Sequence, residues 1–457
     1  MIHLKQNTSF LNQIPFEQGP QSPREVHGAI ASWVKPRAFP DAQVIAWSHD
    51  LKKQFGLNQS VKDELLSLFR GLTTLHSQGN WATCYGGHQF GHWADQLGDG
   101  RAQTLGFIED LVGNSFEWQM KGFGITPYSR GGDGYAVLRS SLREFVASEA
   151  MFHLGVPTTR ALCLLVTNES VIRDIVYSGN PKPEPGALCL RVAPSFIRFG
   201  HFEILAARKE KDLMQKLFDW IHQDQTHFSV LDFFNLVTRK TLDLILEWMQ
   251  LGFVHGVMNT DNMSVHGLTL DYGPYGWLSF FDPNFTPNTT DFRDYRYAWG
   301  KQYEIGIWNL SRLAWALLTL EPDQKSFIEI LKTAQKGMEK RLLETFAIKI
   351  GIDNNIKENL EITQELLVWL QHNPVDFTLF FKWLEVTLNP ELNLEPVLMN
   401  ISYSKNLNFE SFKKWLSRYQ KINRRYQKRA PAFIPRNHLL FKAIEECELL
   451  LSRSEFQ

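Results

Sequence analysis

Asn262 and Asp271 are the residues whose types and spacing most directly suggest chemistry. Asn262 lies in a polar loop that opens at His255, and Asp271 follows nine positions later, ahead of Tyr272 and Gly273. Phosphotransfer sites of the kinase type hold a divalent cation with such a pair, a loop Asn and an Asp in an Asp-aromatic-Gly step. The usual catalytic base is missing. Val257, in His255-Gly256-Val257, stands where that base is expected, and valine cannot accept a proton. Asp261 is the nearest carboxylate able to replace it. Asn, Asp and Gly also recur in plain turns, because they tolerate the backbone angles turns need. The rest of the chain decides between a metal loop and a turn.

Several polar residues elsewhere have the right surroundings to join this loop. Ser115 to Lys121 alternates Phe116, Trp118 and Met120 with Glu117, Gln119 and Lys121, the period of a half-buried strand. Lys121 ends its polar face. Residues 137–153 read as a helix, with Leu138, Leu142, Phe145 and Glu149 on one side and Glu144 on the flank. A strand Lys followed by a helix Glu is the layout of an ion pair that sets a Lys against nucleotide phosphates. Gly98-Asp99-Gly100-Arg101 is either a plain hairpin turn or a loop whose N–H groups face phosphate. Arg191 and Arg198 are either surface-paired or two forked donors to a polyphosphate. Arg139 and Arg143, one turn apart, read as structural. His88 and His92 have a spacing of four, but the glycines around them disfavour a helix and no third metal ligand is evident, so polar packing is expected there.

The elements that must position these groups follow from periodicity. A helix is expected around Asp63 to Leu72, and a hairpin is expected from the apolar runs 161–166 and 170–177. Leu188 to Ala193 repeats the strand alternation. Leu231 to Leu251 carries a broad apolar helical face and delivers the chain into the loop at 252–273. Residues from Phe285 to Tyr303 read as irregular and aromatic, and the remainder as helical. Eight Lys or Arg and no acidic residue fall between Lys413 and Arg429, with Trp415, Tyr419, Ile422 and Tyr426 at helical spacing, which suggests a docked helix with a cationic outer face.

At 457 residues the chain exceeds one ordinary core. The 48 basic and 49 acidic residues nearly cancel, so charge offers no argument for nucleic acid or an acidic membrane as partner. The four cysteines lack Cys-x-x-Cys spacing and read as buried thiols of a reducing compartment. With no apolar signal core and no run long enough to span a bilayer, a cytoplasmic location is expected. The order of elements implies an α+β, two-lobed, protein-kinase-like fold with a mixed β/α N-lobe and a mainly helical C-lobe. The expected boundaries are an N-terminal extension at 1–80, the N-lobe at 81–200, the C-lobe with the metal and catalytic loop at 201–320, and a helical C-terminal region at 321–457.

Taken jointly and in order, these segments identify a family resemblance. The chain resembles the SelO (selenoprotein O) family, kinase-fold protein adenylyltransferases. The resemblance rests on Tyr85-Gly-Gly-His-Gln-Phe-Gly, Gln96-Leu-Gly-Asp-Gly-Arg-Ala, Lys121-Gly-Phe-Gly-Ile-Thr-Pro-Tyr-Ser-Arg, Leu138-Arg-Ser-Ser-Leu-Arg-Glu and Arg191-Val-Ala. It continues through Arg198-Phe-Gly-His-Phe-Glu and Phe253-Val-His-Gly-Val-Met-Asn-Thr-Asp-Asn-Met to Asp271-Tyr-Gly-Pro, with a fainter echo at Arg436-Asn437. The resemblance implies ATP bound in an orientation flipped relative to ordinary kinases, and transfer of AMP to Ser, Thr or Tyr hydroxyls of proteins. It implies Asp261 as proton acceptor, Asn262 and Asp271 as ligands of Mg²⁺ or Mn²⁺, and Lys121, supported by Glu144, at the phosphates. Arg191 and Arg198 would join Lys121, while Gly98, Gly100, Arg101, Asp133 and Gly134 would line the nucleotide site. Tyr135 and Phe107 depart from the family pattern, and the C-terminal tail lacks the cysteine or selenocysteine that some members carry. Two other activities share these residues: phosphoryl transfer with Asp261 as a relocated base, and nucleotide binding without catalysis.

Overall fold

The computed structural model describes residues 4–57, 62–174, 179–223, 227–386, 394–426 and 430–452. Its N-terminal half is built on a ten-stranded sheet and its C-terminal half on helices, the two-lobed kinase-like arrangement expected from the order of elements. The central strands run Ala102–Glu109, Ser115–Lys121, Lys182–Ala193, Arg160–Arg173 and Gln43–Trp47, each antiparallel to its neighbour. Asn80–Thr83 and Ala31–Val34 extend the other edge. Strands from the first eighty residues therefore belong to the same sheet as the site strands.

The strand Ser115–Lys121 shows how side-chain alternation places chemistry. Trp118 and Met120 enter an apolar layer with Leu188, Leu190 and Val192, covered by the helices His49–Gln54 and Lys62–Phe69. Glu117, Gln119 and Lys121 point to the opposite face, toward the second lobe. A half-buried strand is the expectation from alternation, but Glu117 is 2% and Gln119 0% exposed. The polar face is buried against neighbouring strands and the segment that follows them: Arg191 donates to the Gln119 side-chain carbonyl oxygen, and the Gln119 amide nitrogen has no partner among the described residues. Glu117 accepts from Thr104 Oγ1 at 2.6 Å and from the Phe196 N–H at 2.8 Å, while burial pushes its carboxyl up to about 7. Arg191 lies opposite Gln119 in the register and so shares its face.

The helix Leu138–His153 packs on the strands Arg160–Arg173 and Lys182–Ala193 through Leu138, Leu142, Ala147 and Met151. One expectation is corrected here. The runs 161–166 and 170–177 do not form a hairpin; Arg160–Arg173 is one strand paired with Lys182–Ala193, and the polar residues between the runs form a bulge, with a register shift between Val166 and Ser170. Residues 175–178 lie outside the described residues.

The long helix Val230–Leu251 is the axis of the second half. Ser229 caps its start by a reciprocal pair with Asp232, and Gly252, at φ 74°, ends it in the left-handed conformation. The short strand Phe253–Val254 then pairs with Gly276–Trp277 and brackets the loop that carries Asp261, Asn262 and Asp271. Toward the C-terminus, Phe409–Tyr419 is a helix docked by Trp415 and Tyr419, but Ile422 and Tyr426 lie beyond its end. Part of the basic run, 427–429, is outside the described residues. Among the described residues no helix is long and apolar enough to cross a membrane.

Candidate active site

The loop from His255 to Asp271 is held by buried amides. Gln302 Oε1 accepts from the His255 N–H at 3.0 Å, Asn288 donates to the Gly256 carbonyl at 3.0 Å, and Asn309 to the Met258 carbonyl at 3.0 Å. Gly256 is required: its φ is 79°, and a Cβ there would lie 2.4 Å from the Pro274 carbonyl oxygen. His255 is buried, and burial lowers its imidazole to about 4, so it is neutral and structural. Asn262 donates its amide to the Val257 carbonyl at 3.0 Å, which leaves its carbonyl oxygen as an acceptor. Val257 thus closes the loop by its backbone and supplies no base.

Across the cleft, three elements bring cations together on one carboxylate. Lys121 at its strand end donates to Glu144 Oε2 at 2.6 Å, and Arg191 on the neighbouring strand donates to Glu144 Oε1 at 3.1 Å. Glu144 is 1% exposed. The same two cations reach Asp271, whose Oδ1 is 3.2 Å from Lys121 and 3.8 Å from Arg191. Burial by itself raises the Asp271 carboxyl, but Lys121, Arg191, Arg198 and Arg101 together hold it well below the usual carboxylate range. Asp271 is therefore an anion at any working pH. For Arg191, burial works against the charge, and Glu144, Asp271 and Asp99 outweigh it.

Arg198 sits at the start of the helix Phe199–Ala207. Its guanidinium donates to the Asp261 carbonyl at 2.8 Å, lies 4.0 Å from Asp99 and stacks 4.3 Å from the centre of the Tyr85 ring. Asp99 in turn accepts from the Thr83 N–H and hydroxyl at 2.9 and 2.5 Å. Asp261 is buried. Its Oδ2 accepts from the Gln89 amide at 3.2 Å, whereas Oδ1 has no hydrogen-bond partner. Burial pushes its carboxyl up to about 6, against the opposing effects of Gln89 and Arg198.

These groups open onto one cavity of about 510 Å³. Gly98, Gly100, Arg101, Lys121, Asp133, Gly134, Arg191, Arg198, Asp261, Asn262 and Asp271 all line it, and Glu144 stands behind it in contact with Lys121 and Arg191. Six Lys or Arg face four Asp around its wall, the excess an anionic ligand requires. Gly98, at φ 121°, abuts Tyr128 and the Thr83 carbonyl, and Gly134, at φ 76°, abuts the Gly124–Ile125 backbone, so a side chain at either would push the loop walls apart. Asp133 is held by a two-point ion pair with Arg173, at 2.7 and 2.8 Å.

Sequence reasoning missed Tyr85, Asp99, Tyr128 through Gly132, and Arg173 as part of the wall. Asp99 lay inside the Gly-Asp-Gly signal, between two glycines already singled out. Arg173 carried no such signal, because its partner Asp133 is 40 residues away. His88 and His92 lie on a two-stranded ribbon, not a helix; His88 pairs with Glu203 at 2.6 Å and His92 is exposed.

Residues 24–440 match the family described as Protein adenylyltransferase SelO. The chain belongs to the SelO family. It is 42% identical over 477 residues to the protein nucleotidyltransferase YdiU of Tolumonas auensis, covering 98% of this chain and 91% of that one. The corresponding protein of Azoarcus sp. is 44% identical over 466 residues, covering 96% and 89%. A solved structure, ROP2 from Toxoplasma gondii, described as having a protein-kinase fold and no enzymatic activity, overlaps with a TM-score of 0.24 at 15% identity over 59% of this chain and 76% of that one. An overlap that slight carries no weight here. The Tyr135 hydroxyl of this SelO chain accepts from Arg37, and its ring lies 5.0 Å from that guanidinium. Phe107 is buried in an aromatic cluster with Phe10, Trp81 and Trp220. Cys447 is partly buried, and burial and two adjacent glutamates raise its thiol.

Proposed function

We propose that this chain transfers AMP from ATP to Ser, Thr and Tyr hydroxyls of proteins, releasing pyrophosphate, with Mg²⁺ or Mn²⁺ at Asn262 and Asp271. The observation that carries the reading is the division of carboxylates within one cavity. Asp271 is held anionic by four cations, and buried Asp261 keeps one oxygen without a partner, while the customary base position is Val257.

The residues fit a hard cation. Asp271 is a permanently charged oxygen donor, and Asn262, with its amide committed to Val257, offers a neutral one. A divalent ion with few protein ligands and substrate phosphates as the rest suits such a donor set. Bound there, it would neutralise charge spreading over the phosphates and the leaving pyrophosphate. Lys121 and Arg191, fixed by Glu144, present two positive charges to the phosphates without having to reorganise. Arg101 and Arg198 extend that surface. The hydroxyl oxygen of the acceptor forms a bond to the α-phosphorus as the bond to the bridging oxygen of pyrophosphate breaks. The hydroxyl proton passes to Asp261, whose carboxyl near 6 suits a base at neutral pH.

Incubation with ATP labelled at the α- or the γ-phosphate tests the reading. Label from the α-position is expected to become covalently attached to protein. Attachment of γ-label alone would make the chain a kinase, and binding of ATP with neither label transferred would make it a scaffold.

A further inference from the structure

The ribbon His88–Gln89/His92–Trp93 lines no part of the cavity wall, yet it is docked residue by residue on the loop that carries Asp261. The His88 N–H donates to Thr260 Oγ1 at 2.7 Å, and the Gln89 amide to Asp261 Oδ2 at 3.2 Å. The Phe90 N–H donates to Asn259 Oδ1 and to the Tyr297 hydroxyl, both at 3.1 Å. Three consecutive ribbon residues thus hold three consecutive loop residues, more than 160 positions away in the chain.

The ribbon is itself braced. His88 is paired with Glu203 at 2.6 Å and stands against Trp93 and Trp308. Phe90 keeps a left-handed φ of 50°, a conformation a bulky residue holds only when its surroundings demand it. At Gly87 the backbone comes so close that a Cβ would lie 2.9 Å from both Cβ and Oδ1 of Asp261. Gln89 is the one side chain among the described residues that donates to the Asp261 carboxylate; Arg198 grips only the backbone carbonyl of that residue.

We infer that Gln89 is a positioning residue that sets the orientation of the Asp261 carboxylate toward the acceptor hydroxyl. The inference rests on Asp261 as the proton acceptor in the reading above. Gln89 is a neutral amide and takes no proton itself. Its contact fixes rotation of the carboxylate about its last bond, and small misplacements of a reacting group are costly because alignment supplies a large share of rate. The donor comes from the sheet lobe, so the base is aligned only when that lobe is docked on the loop that carries the metal ligands.

The test is a double-mutant cycle on AMP transfer from α-labelled ATP, with ATP affinity measured alongside. Gln89→Met keeps the length and removes the donor. It is expected to slow transfer about ten- to a hundredfold with ATP affinity kept. Asp261→Asn is expected to slow it about a hundred- to ten-thousandfold, and adding Gln89→Met to it should cost nothing more, because Gln89 acts only through that carboxylate. Gln89→Asn, whose amide is withdrawn by one carbon, should repeat the pattern and serves if the Met variant does not fold. Losses that multiply would overturn the inference, as would a parental rate for both Gln89 variants or a loss of ATP affinity equal to the loss of rate. If those results occur while Asp261→Asn is slow, the base assignment stands without Gln89. If Asp261→Asn itself transfers at the parental rate, both fall.

Discussion

Replacing Glu144 by Gln perturbs the site through its support rather than through its ligand-facing atoms. The carboxylate receives Lys121 at 2.6 Å and Arg191 at 3.1 Å, one on each oxygen. At an effective dielectric constant near 20, each pair attracts by roughly 5 to 6 kcal/mol. Desolvation of three buried charges and repulsion between the two cations offset most of that. Removing one partner of a buried ion pair while the others remain costs about 3 to 5 kcal/mol, because charges are left uncompensated. The Gln amide would still accept from one cation but would turn N–H toward the other. The freed cations have one other carboxylate at hand, Asp271, which is already 3.2 and 3.8 Å from them. They would then compete with a divalent ion for it. Three readouts follow from one substitution: a lower urea midpoint, ATP affinity weakened about tenfold, and transfer partly restored by raising Mg²⁺ or Mn²⁺. A variant that loses stability but keeps the parental ATP and metal titrations would refute the claim that Glu144 acts on the site through Lys121 and Arg191.

Other substitutions separate the roles of the remaining groups. Asp271→Ala should abolish transfer and remove the metal dependence of nucleotide binding, measured by ATP titration with and without Mg²⁺; near-parental turnover would displace the metal from this residue. Lys121→Ala should weaken ATP binding and rate together, since its charge faces the phosphates throughout, whereas Asp261→Asn should lower the rate with binding kept. If Lys121→Ala binds ATP like the parent, that Lys serves Glu144 and Asp271 alone.

Much of the site is legible along the chain because its parts have local signatures. Alternation from Phe116 to Lys121 identifies a strand and the face of its terminal Lys, and three- and four-residue spacing identifies the helix that carries Glu144. The Asn262 to Asp271 interval lies within one loop, and the substitution of Val257 for a base is visible by inspection. Where expectation and structure differ, the deciding contact is remote. Glu117 and Gln119 have the pattern of a solvated face, yet Thr104, Arg191 and Phe196 enclose them, and no property of seven residues foretells those partners. The runs around Val166 and Ser170 read as two strands until the partner strand Lys182–Ala193 is present to carry both across a bulge.

The sequence by itself determined which residues could do chemistry and on which elements they lie, since helix and strand periodicity and glycine-dependent turns act over a few residues. Only the tertiary structure decided which of them share a carboxylate, which loops Gly98 and Gly134 press against, and that the ribbon at Gln89 reaches Asp261. The shared carboxylate and the ribbon contact are pairings between side chains that lie 23 to more than 170 positions apart. Hydrogen bonds and ion pairs of that kind need a distance of about 3 Å and a direction, and only the packed cores of both lobes supply those.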